Sequence, residues 1–267
     1  MSAATCITPS FLRRMQGIYP PSSSGKVWKN PWYILASVAF SAANEPEGVP
    51  IVFQYALQGV EGKDRMTLAR KTRDAIFKSG LTSGYSKAIN SLVALDAVMP
   101  EELKERQVLR DTSKSIAAHA ASGKAFFEEL YGDTAIEVQG LLDRVYPDLG
   151  WFSNAIGYGL TYSFYSSLQN QQVLTTLETS YTLVAALISN DTPRQINWHL
   201  AGARRIGASL EEVRAAREIA MQCSELVGVR WKEGVPEVMD VVVKESKRVR
   251  EEREEAIPAG VHVQPAI

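Results

Sequence analysis

The apolar residues of this chain recur at steps of three and four over most of its length. The clearest case lies near the end, where six residues fall on one face of a predicted helix: Leu210, Val213, Ala216, Ala220, Cys223 and Val227. That spacing is typical of an amphipathic helix. Ser209 and Glu212 open this helix as a capping box, in which a hydroxyl and a carboxylate satisfy reciprocal backbone donors. Because almost no stretch alternates with period two, we expect an all-α fold.

Similar patterns predict further helices, bounded by proline, glycine and capping residues. Pro46 and Pro193 each suit the first turn of a helix. Ser122 and Gly123 interrupt the pattern, and Ser122 is suited to cap a short helix. Pro147 breaks the chain before a segment rich in aromatic side chains, which we interpret as core. The predicted helices are residues 33–43, 46–58, 65–79, 81–98, 100–108, 134–145, 151–168, 174–189, 193–207, 210–227 and 236–254.

One helical unit occurs twice in the sequence. In each copy an apolar helix leads, a short polar turn with a proline follows, and two further helices and a glycine complete the unit. The matched landmarks are segments 33–41 and 181–189, Pro46 and Pro193, Arg73 and Arg217, and Gly84 and Gly228. Two such units can pack with pseudo-symmetry and bury each other's apolar faces.

The repeat divides the chain into five predicted segments. Two helical repeats are joined by connecting helices, and an arm and a tail flank them. The segments are an N-terminal arm at 1–30, a first repeat at 31–110, connecting helices at 111–170, a second repeat at 171–255 and a C-terminal tail at 256–267.

The composition and charge of the chain argue against two classes of partner, nucleic acids and membranes. The 267 residues are 45% hydrophobic and 22% charged, and the formal net charge is −1. That balance gives no reason to expect a nucleic-acid partner. The most apolar stretches are far shorter than the roughly 20 residues that a membrane-spanning helix needs. We therefore expect neither nucleic acid nor a membrane span.

The two cysteines, Cys6 and Cys223, lie far apart and form no CxxC pair. This favours a reducing, intracellular compartment. A structural zinc site needs more ligands close together than the chain provides, since it has only three histidines. We expect neither a metal nor another cofactor.

The first 44 residues contain arginine and lysine but no acid, with several serines and threonines. That composition is compatible with a mitochondrial targeting segment. A basic arm packed on the domain is the alternative, because Phe11, Leu12 and Met15 equally suit core contacts. We expect a cytoplasmic or mitochondrial protein, since residues 264–267 form no peroxisomal or ER-retention signal.

The second repeat resembles the carboxymuconolactone decarboxylase/AhpD-like superfamily. The resemblance rests on an apolar helix, a polar turn, a helix with a histidine, Gly-Ala-Ser, Glu-Glu-Val and a final glycine. A second stretch, 123–160, resembles two-repeat homologues of the decarboxylases. The matching residues are 183–188, 192–199, 207–209, 211–213 and Gly228, together with 127–132 and 158–160. The resemblance implies an AhpD-like helical fold, and it implies self-association as a homo-oligomer.

Thiol peroxidases of this superfamily carry two cysteines shortly before the histidine. Here those positions hold Thr192 and Gln195, and neither side chain can supply a thiolate nucleophile. A thiol peroxidase is therefore the least favoured interpretation. The resemblance instead implies the decarboxylase group, which lacks the cysteines and keeps the histidine.

His199 and Glu178 are the candidate catalytic residues. A helix N-terminus disfavours a charged imidazole, so His199 would stay neutral and could act as a base. Glu178, close to where the family carries a helix-borne glutamate, could relay protons with it, although the spacing fits Ser180 better. The alternatives are a histidine bonded to a backbone carbonyl and a glutamate favoured by the helix dipole.

Arg204 and Tyr158 are the candidate substrate-binding residues. An arginine can hold a carboxylate through two hydrogen bonds, but Arg204 follows His199 by five positions and does not share its face. Arg73 and Arg217 could simply bridge helices, and Tyr158 could belong to the core.

Two functions remain open. The first is a cofactor-free enzyme that decarboxylates or isomerises a small organic acid or lactone by proton transfer. The second is a non-catalytic structural or assembly protein that kept the fold. A closed polar pocket around His199 would favour the enzyme.

Overall fold

The structure is a computed structural model that describes residues 3–21, 27–163 and 173–239. Its regular elements are all helical, and no strand occurs among these residues. This confirms the all-α prediction. The α-helices are α1 Ala3–Cys6, α2 Pro9–Ile18, α3 Trp32–Ala42, α4 Gly48–Leu57, α5 Lys63–Ser83, α6 Tyr85–Val98, α7 Ile116–Tyr131, α8 Ala135–Val145, α9 Pro147–Phe152, α10 Thr176–Ser189, α11 Pro193–Arg205 and α12 Leu210–Leu226. Short 3₁₀ turns lie at Val27–Lys29, Glu101–Leu103 and Gly132–Thr134, and a π-helix spans Ser153–Tyr162.

Helices α3 and α10 form the centre of the core. Every residue of α3 is buried, and so is α10 from Glu178 to its end. The two helices pack on each other. Each also packs on the two helices that follow it, and on the third helix of the other unit, α12 for α3 and α5 for α10. The two units α3–α5 and α10–α12 therefore share one core with a pseudo-symmetric arrangement.

Equivalent turns and arginines mark both units. Gly84 and Gly228 follow the third helices with φ of 116° and 93°, a conformation that suits glycine. Arg73 donates to the carbonyl of Leu103, and Arg217 donates to the carbonyls of Val235 and Pro236. Each arginine thus binds the backbone of the segment that follows its unit, and for Arg217 that segment is not helical.

The N-terminal arm packs on the core. Phe11, Leu12 and Met15 lie on the buried face of α2. Beyond this helix, the hydroxyl of Tyr19 lies 3.1 Å from that of Tyr181 and donates to Glu212 at 3.0 Å. The arm therefore contributes to the same core as both units.

The connecting region differs from the predicted pattern. Helix α7 runs without a break through Ser122 and Gly123, so the predicted cap at Ser122 is wrong; its hydroxyl donates to the carbonyl of Ala118 instead. Pro147 begins α9 rather than breaking the chain, because proline fits the first turn. The aromatic segment continues as the π-helix, and residues 164–168 of that prediction lie outside the described chain.

Two other predicted helices are also different. After Pro100 only the turn Glu101–Leu103 forms. Residues 229–239 are not helical, so the prediction of a helix starting at Pro236 is wrong there, and its remaining residues lie outside the described chain. Arg217 instead donates to the carbonyls of Val235 and Pro236. The boundaries at residues 110 and 170 stay predictions.

Within the part of the chain that the structure describes, no helix is both long and apolar enough to cross a membrane.

Candidate functional site

His199 lies in the interior, on α11. Its residue is 6% exposed. The Nε2 atom lies 3.4 Å from the hydroxyl oxygen of Tyr131. The Nδ1 atom is buried and has no hydrogen-bond partner among the described residues. Several other buried side chains, Trp32 and Ser180 among them, also have a polar atom without a partner. A catalytic role, a bound ion or a water molecule can each account for such an atom.

Burial keeps this imidazole neutral. It lowers the pKa of His199 to about 4. The sequence predicted a neutral histidine through the dipole of the helix start, but His199 is the seventh residue of α11, which begins at Pro193. The dipole acts mainly within the first turn. Desolvation, and not the helix dipole, is therefore the reason that His199 is neutral.

Tyr158 belongs to the same network as His199. Its hydroxyl donates to that of Tyr131 at 3.2 Å, so the hydrogen bonds run from Tyr158 through Tyr131 to the imidazole. Burial raises the pKa of both phenols, so both stay protonated. The structure places Tyr158, a predicted substrate-binding residue, in the same hydrogen-bonded network as His199. Sequence analysis did not identify Tyr131, which connects the two.

A close contact between backbones positions Tyr158. A Cβ atom on Gly123 of α7 would overlap the backbone nitrogen of Gly159, and one on Gly159 would lie 2.9 Å from the carbonyl oxygen of His119. Glycine at both places lets α7 and the π-helix touch. The tyrosine therefore reaches across to Tyr131 on α7.

Glu178 lies in a different network. Lys71 of α5 donates to both of its carboxylate oxygens at 2.5 Å, and the side chains of the pair are 8% and 11% exposed. Glu178 also accepts from the backbone nitrogen of Thr175 in a capping box. The lysine Nζ lies 5.3 Å from the ring of Trp28. The structure gives no contact between Glu178 and His199, so it does not join the two predicted catalytic residues.

A second buried ion group continues along the same face of α5. Lys78, 1% exposed, lies 3.4 Å from Asp74 and donates to the hydroxyl of Thr179 at 2.9 Å. Arg110 donates to Asp74 at 2.7 Å. Burial would raise the pKa of Asp74, but Lys78 and Arg110 outweigh it and lower the pKa. Sequence analysis missed this group, although the spacing 71, 74 and 78 places three charges on one helical face.

The guanidinium of Arg204 binds a backbone carbonyl. Its Nη1 donates to the carbonyl oxygen of Ala208, in the turn between α11 and α12. Arg205 likewise donates to the carbonyl of Leu130 at 3.3 Å. This hydrogen bond ties Arg204 to the connection between α11 and α12.

Cys223 is poorly suited to act as a nucleophile. Cys223 is fully buried in α12, and burial raises its pKa well above the usual range, which disfavours the thiolate. Among the described residues, no group of three or more histidine, cysteine or carboxylate side chains is placed to hold a metal ion.

A cavity of about 230 Å³ lies beside the tyrosine network. Phe126 and Tyr162 line it, and their rings lie 5.7 and 5.3 Å from that of Tyr158. His199 is not one of the lining residues, which are Ser122, Ala125, Phe126, Glu129, Tyr162, Ser163 and Thr176. The rings of Phe126, Tyr158 and Tyr162 thus separate this cavity from the imidazole, so it is not the closed polar pocket around His199 that would favour an enzyme.

Comparisons with known proteins give relatives but no family. No family model matches the chain. A protein named peroxisomal protein 2 in Saccharomyces cerevisiae is 27% identical over 266 aligned positions, which cover 78% of this chain and 92% of that protein. A protein of the same name in Schizosaccharomyces pombe is 29% identical over 223 positions, covering 84% of this chain and 95% of that protein.

Proposed function

We propose that this chain is a peroxisomal protein. The support is the shared name of two relatives from different yeasts, each matched over more than nine-tenths of its length. This proposal replaces the expectation of a cytoplasmic or mitochondrial protein. Fusions with a fluorescent protein at either end, observed beside a peroxisomal matrix marker, test it. Punctate overlap with the marker is expected, and a mitochondrial or diffuse signal from both fusions would refute it.

For the activity, we propose cofactor-free decarboxylation of a small β-keto acid at His199, in a carboxymuconolactone decarboxylase-like fold. The observation that carries this proposal is the buried, unpartnered Nδ1 of a neutral imidazole. The resemblance in segments 183–199 and 207–213 supports the reaction class.

The order of donors in the network defines the role of His199. Tyr158 donates to the oxygen of Tyr131, and we assign the Tyr131 hydrogen to the contact with Nε2. In this tautomer Nε2 accepts, and Nδ1 carries the imidazole hydrogen. His199 is therefore suited to donate a hydrogen bond to a substrate oxygen, whereas the sequence prediction made it a base.

Such a donor is sufficient for decarboxylation of a β-keto acid. When the bond between the α-carbon and the carboxylate breaks, its electron pair moves toward the ketone and negative charge collects on the ketone oxygen. Nδ1–H stabilises that charge while CO₂ leaves. The enolate then takes a proton from water, so the step needs no oxidant and no separate base.

The test combines ligand binding with turnover. Small β-keto acids, lactones and simple carboxylates are screened by thermal shift, and CO₂ release is measured for those that bind. A ligand at about 100 times its Kd adds about 2.7 kcal/mol of stability. The stabilisation and the CO₂ release should be lost in His199→Ala, and Tyr131→Phe should reduce the rate while it retains binding. Equal turnover in wild type and His199→Ala would refute the proposal.

A non-catalytic assembly protein is the second candidate, and the surface of α6 favours it. Tyr85, Ile89 and Val93 recur every four residues on this helix and are 71%, 43% and 65% exposed. Ser86 and Asn90, also exposed, add no charge. A second copy of the chain could pack on this uncharged face without like-charge repulsion, as the predicted homo-oligomer requires.

Sedimentation velocity tests this association. Wild type is expected to sediment as a dimer or larger species, and Ile89→Glu should shift it toward the monomer. Val145→Glu is the control, because Val145 is 67% exposed on α8. A monomeric wild type, or equal dissociation in both variants, would contradict the interface.

A further inference from the structure

Four oxidisable side chains form a row beside His199. The Trp198 indole packs edge to face against the ring of Tyr131, with ring centroids 6.2 Å apart. The rings of Tyr158 and Tyr162 continue the row at spacings of 6.3 and 5.3 Å. Indole and phenol are among the side chains that lose an electron most readily, and electrons pass between neighbouring aromatic rings without a metal. The row therefore offers a path for single electrons.

A proton acceptor lies at the hydroxyl of Tyr131. Removal of an electron from a phenol turns its hydroxyl into a strong acid, so the proton has to leave if the oxidised state is to last. The hydroxyl lies 3.4 Å from Nε2 of His199, and a neutral imidazole can take up a proton at this nitrogen. Tyr158 donates to the Tyr131 oxygen at 3.2 Å, a hydrogen bond that the oxidised oxygen can keep. Tyr131 is therefore the position in the row that is best suited to lose an electron.

Tyr33 shows what the imidazole adds. This tyrosine is fully buried as well, and its hydroxyl donates to the backbone carbonyl of Trp28 at 3.2 Å. An amide carbonyl accepts a hydrogen bond, but it is too weak a base to take the proton. Tyr33 and Tyr131 thus share burial and differ in the acceptor at the hydroxyl.

Burial protects a radical at Tyr131, and Trp198 connects it to the surface. Tyr131 is 5% exposed and lies in an apolar cluster with Phe127 and Leu130. Radicals on exposed tyrosines disappear when two molecules collide and their rings couple, and this burial prevents such a collision. Trp198 packs against the same cluster but is only partly buried. An oxidant in solvent can therefore reach the indole more easily than the phenol.

We propose that Tyr131 and His199 form a redox-active pair that quenches one-electron oxidants of the peroxyl-radical class. The oxidant takes an electron from Trp198, and Tyr131 replaces it. The O–H bond of Tyr131 breaks as its proton moves to Nε2, which leaves a neutral phenoxyl radical and an imidazolium. The peroxyl radical becomes a peroxide anion, which takes a proton from water. A one-electron reductant such as ascorbate returns an electron through Trp198, and the proton moves back to the phenol.

Pulse radiolysis of the full chain, with azidyl radicals as the one-electron oxidant, tests the pair. An indolyl absorbance should appear first and decay as a phenoxyl absorbance grows. EPR of rapidly frozen samples should then show a phenoxyl radical that outlives those on exposed tyrosines such as Tyr85, which is 71% exposed. The absence of a persistent phenoxyl radical in wild type would overturn the proposal.

The two buried tyrosines provide matched variants, since each loses one buried hydroxyl. Tyr131→Phe should abolish the persistent phenoxyl signal, whereas Tyr33→Phe should leave it unchanged. Far-UV circular dichroism first establishes that both variants are folded. Persistence of the signal in Tyr131→Phe, or equal loss in the two variants, would refute the assignment to Tyr131.

His199→Gln tests the proton acceptor without removal of Tyr131. A glutamine side chain can keep a hydrogen bond to the phenol but cannot take its proton. The conversion of indolyl to phenoxyl should slow by about 100-fold, as for the loss of a positioned base. An unchanged rate in the folded variant would exclude His199 from the pair.

These measurements are independent of the proposed decarboxylation. They use no keto acid, so the radical signal is expected whether or not CO₂ is released by the wild type. Conversely, CO₂ release without a persistent phenoxyl radical would support the decarboxylase and overturn the redox pair.

Discussion

At the scale of single residues, burial decides which protonation states are present. His199 and Tyr131 are in contact in the interior, and desolvation lowers the pKa of the imidazole and raises that of the phenol. Both groups are therefore neutral between about pH 5 and pH 9. A network of neutral hydrogen-bond donors is stable there without a counter-ion, because no charge has to be buried.

The depressed pKa of His199 makes stability depend on pH. The His199 imidazole binds its proton near pH 6.5 in the unfolded chain, whereas in the folded chain its pKa is about 4. The unfolded state therefore holds more protons in this window, and the stability present above pH 6.5 falls as the pH drops to 4. The contribution is at most about 3 kcal/mol.

Urea unfolding at pH 7.0 and pH 4.5 measures this contribution, in wild type and in His199→Gln. The variant should lose less stability between the two pH values, because its other titrating groups are unchanged. Identical losses in both proteins would show that the imidazole is not desolvated.

At the scale of helices, packing depends on close backbone contacts that a sequence pattern cannot show. Gly123→Ala should destabilise the chain by about 1–3 kcal/mol, because the added methyl meets the backbone of the π-helix. Gly140→Ala is the control, since nothing lies within 4 Å of its Cβ position on α8 and alanine favours a helix by up to about 1 kcal/mol. Thermal unfolding of the two variants should shift in opposite directions.

Ion pairing between α5 and α10 gives a second prediction at this scale. Lys71→Met leaves Glu178 buried without its cation, which should cost about 3–5 kcal/mol. Adding Glu178→Gln should recover part of that loss, because the uncompensated charge is removed. Lys124→Met, at an exposed pair, should change stability by less than about 1 kcal/mol. A fully additive double variant would argue against direct coupling between Lys71 and Glu178.

The sequence predictions succeeded for contacts between residues near each other in the chain and failed for contacts between distant ones. The capping box at Ser209 is confirmed, because it depends on residues three apart in the chain. The break at Ser122 was wrong, since Gly123 serves a contact with Gly159 that lies far away in sequence. The candidate residues show the same limit: Tyr158 reaches His199 only through Tyr131, and the partner of Glu178 is Lys71, at a distance of 107 positions.

At the scale of the whole molecule, both helical units share one core. Trp32 and Leu35 of α3 are fully buried in the same cluster as Val184 of α10. Neither unit covers its own apolar faces, because each third helix packs on the first helix of the other unit. The units should therefore be stable only together.

A single cooperative transition should result. Urea unfolding followed by far-UV circular dichroism and by tryptophan fluorescence should give coincident curves. Leu35→Ala in the first unit should lower both curves by about 2–5 kcal/mol, and Val184→Ala in the second should also lower both. Two separated transitions, or a variant that moves only one probe, would mean that the units unfold independently.

The buried ion pair between Lys71 and Glu178 makes the two units chemically unequal. Matching Arg73 with Arg217 pairs Lys71 with Ala215, and matching Tyr33 with Tyr181 pairs Glu178 with Asn30. Two identical chains in a symmetric dimer would carry such an ion pair at both ends of their shared core. A single chain with two units can carry the charge at one end and an uncharged contact at the other.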